Sequence, residues 1–318
     1  VSALKLIKNL GGPVSRSAQV TGGLLAALGG VAIAVQGRVN GSLAQSLQNG
    51  FLAALISFGG GWLVLMVAVL SRQSGRDGLA RLRDALVHHR IRWWECIGGI
   101  SGAFLVASQG IAIATIGVAV FTVAVVVGQV VSSLVVDRRG LGPGEPKPLR
   151  MTRVLGAAVG VVAVVVAVSH RFTSPDELWL AVLPLVAGLL MGWQQAVNGL
   201  VRDAAGHSVA TILVNFTTGT FVLLLVNLVA ARGVADFPAQ WWLYLGGLLG
   251  IVGVGGAIVS VRFIGVLMVG LCAVCGQLIG AVLLDGVSGH LALPTVIGVV
   301  LTLVSVGVAA LPSGRMVR

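Results

Sequence analysis

Acidic side chains are scarce in this chain, ten in 318 residues, and none falls in the middle of an apolar run. A proton-driven cation exchanger ordinarily needs a carboxylate at membrane depth to bind proton and cation in turn, so the scarcity argues against that mechanism. Glu95, Asp137 and Asp285 stand at the ends of apolar runs and read as interfacial. Histidine is equally sparse, five residues with none deep enough for a proton relay. Of the three cysteines, Cys272 and Cys275 share an i, i+3 spacing, but no His or acid joins them to complete a metal site. They read as small packing residues, and no metal or other cofactor is expected. The chain also lacks a Gly-x-Ser-x-Gly elbow, a His-Glu-x-x-His pair and a Gly-x-x-x-x-Gly-Lys phosphate loop. The expectation is a protein that is not an enzyme.

What fills the chain instead is apolar sequence, 57% hydrophobic against 10% charged with a mean hydropathy of +1.01, which excludes a soluble surface. Continuous runs near the ~20 residues that cross a bilayer as a helix fall at 21–40, 51–71, 93–114, 117–136, 154–170, 178–200, 208–230, 241–261, 265–284 and 294–311. A transmembrane barrel would alternate apolar and polar residues in shorter segments. The spacing therefore predicts an all-α integral membrane protein with ten transmembrane helices, the first run being a retained span rather than a cleaved signal.

The net charge of +11 encodes orientation. All but Arg38, Arg171 and Arg232 of the 21 basic residues lie on one side, which holds the amino terminus, the loops after spans two, four, six and eight, and the carboxyl tail. The positive-inside rule then puts both termini in the cytoplasm of a cell with an inner membrane. Nucleic acid is excluded as partner because the basic loops lack aromatics for base stacking. Attraction to anionic membrane lipids is expected.

The chain is an internal duplication. Gln36, Val39, Asn40 and Gly41 recur as Gln194, Val197, Asn198 and Gly199, and the match runs ungapped through Phe58/Phe216 and Gly61/Gly219. At a spacing shorter by ten, Trp93-Trp94, Gly98-Gly99, Ile116-Gly117-Val118, Gly128-Gln129 and Asp137 recur as Trp241-Trp242, Gly246-Gly247, Ile264-Gly265-Val266, Gly276-Gln277 and Asp285. The lost residues fall in the charged connection of the first half. Five spans per half is an odd number, so the second copy must insert inverted, an arrangement that gives many secondary transporters two alternating openings. The division read here is a cytoplasmic segment 1–19, a first five-helix repeat 20–170, a connecting loop 171–177, a second repeat 178–312 and a tail 313–318.

The Gln-x-x-x-Asn-Gly ends of the first span in each half, Ser57 to Gly61 with Asn215 to Gly219, the paired tryptophans and the Gly-Gln pattern running to Asp137 and Asp285 together resemble the YdcZ-type branch of the drug/metabolite transporter superfamily. The similarity covers residues 20–312. It implies a small-solute exporter or permease whose inverted halves pack around a central cavity.

Polar groups at membrane depth carry the candidate site, since they are costly there unless they line a cavity or an interhelical contact. Gln129 and Gln277 stand about eight residues, ~12 Å, inside the terminal Asp of spans four and nine, and the resemblance puts those helices at the cavity. The pairs Gln36/Asn40 and Gln194/Asn198 share a helical face and fall at opposite mouths under inversion; they fit substrate contacts and helix ties equally well. Gln109 has only Ala257 as its counterpart, and Asn215 stands where the first half has Ser57. Arg262, beside a short connection, either snorkels to the surface or meets an anionic headgroup. The glycines of spans three and eight permit tight packing, with span eight the candidate for bending. Three functions follow: a transporter of a small polar metabolite, a transporter of an amphiphilic or lipid-linked molecule, and a non-transporting membrane scaffold. Substrate identity and oligomeric state are set by no motif in the chain.

Overall fold

The computed structural model of the chain describes residues 16–142, 151–169, 179–230, 236–289 and 291–311. Every regular element among them is helical. In chain order these are α1 (Arg16–Leu47), α2 (Gly50–Leu70), α3 (Gln73–Val87), α4 (Gly99–Ile116), α5 (Val118–Arg139), α6 (Met151–Val168), α7 (Val182–Ala205), α8 (Ser208–Ala230), α9 (Gly246–Val287) and α10 (Leu293–Ala310). Short 3-10 turns at Trp93–Gly98, Trp179–Ala181 and Trp241–Leu245 lead into α4, α7 and α9. Trp93 and Trp241, twins in the repeat, are both 72% exposed, as suits a ring at a membrane interface.

Seven helical segments among the described residues are long and apolar enough to cross a membrane: Arg16–Leu47, Gly50–Leu70, Trp93–Ile116, Val118–Val136, Trp179–Ala205, Ser208–Ala230 and Val269–Val287. Three further apolar helices are shorter, Met151–Ala167, Trp241–Gly256 and Leu293–Ala309. They correspond to the expected fifth, eighth and tenth spans.

The expected eighth and ninth spans join in α9, 42 residues of helical backbone that would extend about 63 Å if straight. They do not run straight. Gly29 on α1 faces the Gly253 carbonyl, while its neighbour Gly30 faces Ala273 and Gln277. In a straight helix Gly253 and Ala273 would stand about 30 Å apart, so α9 folds back on itself. Gly22 faces Phe263 and Ile264, and Gly23 faces Cys272, which puts the reversal between Phe263 and Cys272. The first arm of α9 runs antiparallel to α1 and the second arm parallel to it.

An unforeseen element is α3, in the charged connection after the second expected span. Its apolar face buries Gly75, Gly78, Leu82 and Ala85, with Leu82 and Ala85 packing beside Val201 and Ala205 of α7. Arg81 Nε donates to the Ala205 carbonyl at 2.8 Å, capping the end of α7 where Gly206 turns the chain at φ +59.

Contacts between elements recur in pairs that follow the sequence repeat. Helices α2 and α8, twins in the repeat, cross antiparallel: Gly61 meets the Phe216 ring, Gly219 meets the Phe58 ring, and the two rings stack with centroids 4.8 Å apart. Gly247 packs on the backbone of Ser57 and Gly61, as Gly99 packs on the backbone of Asn215 and Gly219. These glycines let backbones touch. In span eight Gly253 and Gly256 likewise meet the α1 backbone, and Gly246 and Gly250 make room for the Asn40 and Gln36 side chains, so packing accounts for that span's glycine content except at Gly255. Helices α6 and α10 are the third such pair, tied by Ser305 Oγ donating to the Gly156 carbonyl at 2.7 Å.

Candidate substrate cavity

A cavity of about 460 Å³ lies between α7, α8 and the two arms of α9, with α1 and α5 closing its inner end. Its walls follow from local sequence. Gly206 ends α7 and turns the chain into α8, whose first turn is capped by His207 Nδ1 accepting from the Ala210 amide at 3.2 Å. That tight connection sets the amides of α7 opposite those of α8. Gln194 Nε2 donates to Asn215 Oδ1 at 2.9 Å, and Asn215 Nδ2 donates to Asn198 Oδ1 at 2.9 Å. All three residues line the cavity, and so do Gln129 of α5 and Gln277 of the second arm of α9.

Beside them stand Ile33 of α1 and Met191 of α7, themselves twins in the repeat. The inner end of the cavity is thus built from two symmetric pairs, Gln129/Gln277 and Ile33/Met191. The rim carries Gln195, Val254, Gly270 and Arg202, all exposed. Among the described residues no acidic side chain lines the cavity, and Arg202 is the sole basic one. The Arg202 guanidinium lies 3.7 Å from the Asp203 carboxylate in an exposed pair, too wet to contribute much stability and free to exchange partners.

Gln36, Asn40 and Gln109 lie apart from this cavity. Asn40 is fully buried and donates through Nδ2 to Gln109 Oε1 at 2.7 Å. Gln36 packs on Gly250, where an added Cβ would meet its Nε2 at 2.7 Å. Asn40 packs likewise on Gly246, and these two glycine contacts have twins, Gln194 on Gly102 and Asn198 on Gly98. The unequal amides of the two halves now have a physical reason. Asn40 takes its partner from α4, as Gln109, whereas Asn198 takes its partner from α8, as Asn215. The Oδ1 of Asn40 and the Oε1 of Gln194 are buried acceptors with no protein donor.

Sequence reasoning missed four polar contributors to the walls, Gln195, Arg202, Ser208 and Thr211. Gln195 adjoins Gln194, and Arg202 was read only as a topological charge. Arg262 belongs to the residues whose side chains lie outside the description, as does Asp137. Asp285 stands near the end of its helix, where protein rather than water covers it: it is 2% exposed and accepts from the Val118 amide at 2.9 Å and the Ala119 amide at 2.7 Å. The unpaired N–H groups and positive end of a helix dipole compensate a carboxylate as water would, and that partner is remote in sequence.

A helical membrane protein with an amide-lined cavity between duplicated helices is the class these features define. Within it, the chain belongs to the family described as "Putative inner membrane exporter, YdcZ", which matches residues 21–166 and 179–309. That description is of an exporter, which is not an enzyme class. A solved crystal structure shares the fold at a TM-score of 0.57 and 20% identity, over 93% of this chain and 98% of that one. No curated protein matches the chain.

Proposed function

We propose that the chain is a secondary transporter, built as ten membrane spans in two inverted five-helix repeats, that exports a small polar metabolite by alternating access. The observation that carries this reading is the unlike environment of one repeated stretch. Residues 118–127 of α5 are all buried, whereas their twins Val269, Gly270, Ala273 and Val274 line the cavity. The repeats offer two near-equal packings, of which the structure holds one, and exchanging them would open the opposite end. The antiparallel crossing of α2 with α8 supports inversion, since these are the same helix of each half.

The bias of basic residues marks the Arg202 end as cytoplasmic, so the cavity is open inward. Gln129 and Gln277 contact the solute in both states because they are each other's twins. Their amides offer donors and acceptors without charge, which suits a neutral or zwitterionic solute. Gln194, Asn198 and Asn215 line the inner mouth. Gln36, Asn40 and Gln109 line the outer mouth once it opens and hold it shut meanwhile.

One observation favours a second reading, an amphiphilic or lipid-linked substrate: Val254 on the rim is 40% exposed, giving the cavity an apolar flank. The test is the purified protein in liposomes, with a solute first found by thermal-stability screening of a metabolite panel. Solute flux falling about tenfold in Gln129→Ala and in Gln277→Ala, the scale of one lost buried hydrogen bond, is the expected result. Lipid scrambling without solute flux supports the amphiphile, and neither activity supports a scaffold.

A further inference from the structure

We propose that Asp285 is the latch that holds the closed end of the transporter shut, an inference that rests on the alternating-access reading. Asp285 ends the second arm of α9, yet both of its carboxylate oxygens accept backbone N–H groups from the first turn of α5, in the other half of the chain. The turn before α5 is shaped to receive it. Gly117 takes φ +81, which leaves the amides of Val118 and Ala119 bare, and an added Cβ there would come within 2.7 Å of Asp285 Oδ2.

Beneath this contact lies a dry plug. Ile113, Ile116, Val118 and Phe121 pack with Leu278 and Ala281 of α9 in one buried cluster. Opening that end requires α5 and the second arm of α9 to part, and the Asp285 contact must then break. A carboxylate on helix amides suits a reversible join, because water solvates the charge and the freed N–H groups once the end opens. A purely apolar seam would instead expose its surface to water and resist opening in proportion to its area. Asp137 follows Gln129 at the same interval at which Asp285 follows Gln277, so the repeat carries a second carboxylate for the opposite end.

The test uses protein with Cys96, Cys272 and Cys275 replaced by serine, in oriented membrane vesicles, with a single new cysteine at Val126, buried on the helix that carries the plug, or at its twin Val274 in the cavity. A membrane-impermeant thiol reagent is applied from each side. In Asp285→Asn, labelling of the Val126 position from the Asp285 side is expected to rise and labelling of the Val274 position from the Arg202 side to fall, moving their ratio about tenfold, the scale of one lost bond to a charged group. Gly117→Ala, which displaces the carboxylate from the other partner, is expected to move the ratio in the same direction and serves if Asp285→Asn does not fold. An unchanged ratio, or both rates rising together as a merely structural cap would give, overturns the latch. If the Val126 position labels in the parent while the ratio stays fixed, the latch alone falls; if it labels in neither, alternating access falls with it.

Discussion

The amides are where function and packing compete for the same side chains. Asn215 accepts from Gln194 and donates to Asn198, so it ties α8 to α7 while facing the cavity. Replacing it with alanine leaves two partners without their bonds at a half-wet site, which costs about 1–2 kcal/mol. Thermal unfolding of the detergent-solubilised protein should therefore shift down in Asn215→Ala. Gln195→Ala, exposed on the rim, should stay within about 0.5 kcal/mol of the parent. That Gln129 and Gln277 stand eight residues inside the aspartates of twin spans was legible from sequence, and the structure sets both on the cavity wall. The difference between the amide networks was not. Gln109 and Asn215 sit on non-equivalent helices, and only the packing reveals that each completes the network of its own half.

At the scale of elements, hydropathy located the apolar runs because backbone groups in lipid must be satisfied within helices. It was blind to α3, whose polar composition hides a face of glycine, alanine and leucine that packs on the α7–α8 turn. The reversal of α9 between Phe263 and Cys272 was legible from the repeat, since the twin reversal at Gly117 falls between α4 and α5. Glycine content alone suggested a bending span eight, whereas the structure sets all of those glycines but Gly255 against neighbouring helices, Gly247, Gly253 and Gly256 against backbone and Gly246 and Gly250 against side chains. Gly247→Ala tests that packing. Its new methyl would overlap the Ser57 carbonyl, and overpacking of this kind costs about 1–3 kcal/mol. Gly60→Ala meets nothing within 4 Å and should leave the unfolding midpoint close to that of the parent. Equal losses in the two variants would mean that helix stiffness rather than close contact sets the effect.

For the whole molecule, duplication supplies two copies of one unit, and the structure holds the copies in different surroundings. A stretch that is dry in α5 lines a cavity in α9, where Gly270 replaces Thr122, although Gly128, Gln129 and Asp137 recur as Gly276, Gln277 and Asp285. Asymmetry of this kind in a symmetric framework is what a two-state transporter requires.

The most direct measurement is two-sided thiol labelling of the cysteine-free protein carrying Val126→Cys or Val274→Cys, in vesicles of known orientation. Each position should react from its own side only, and a bulky reagent bound at one position should suppress reaction at the other when both are present. Reaction of both positions from the same side, or a Val126 position inert under all conditions, would contradict two inverted halves alternating around Gln129 and Gln277.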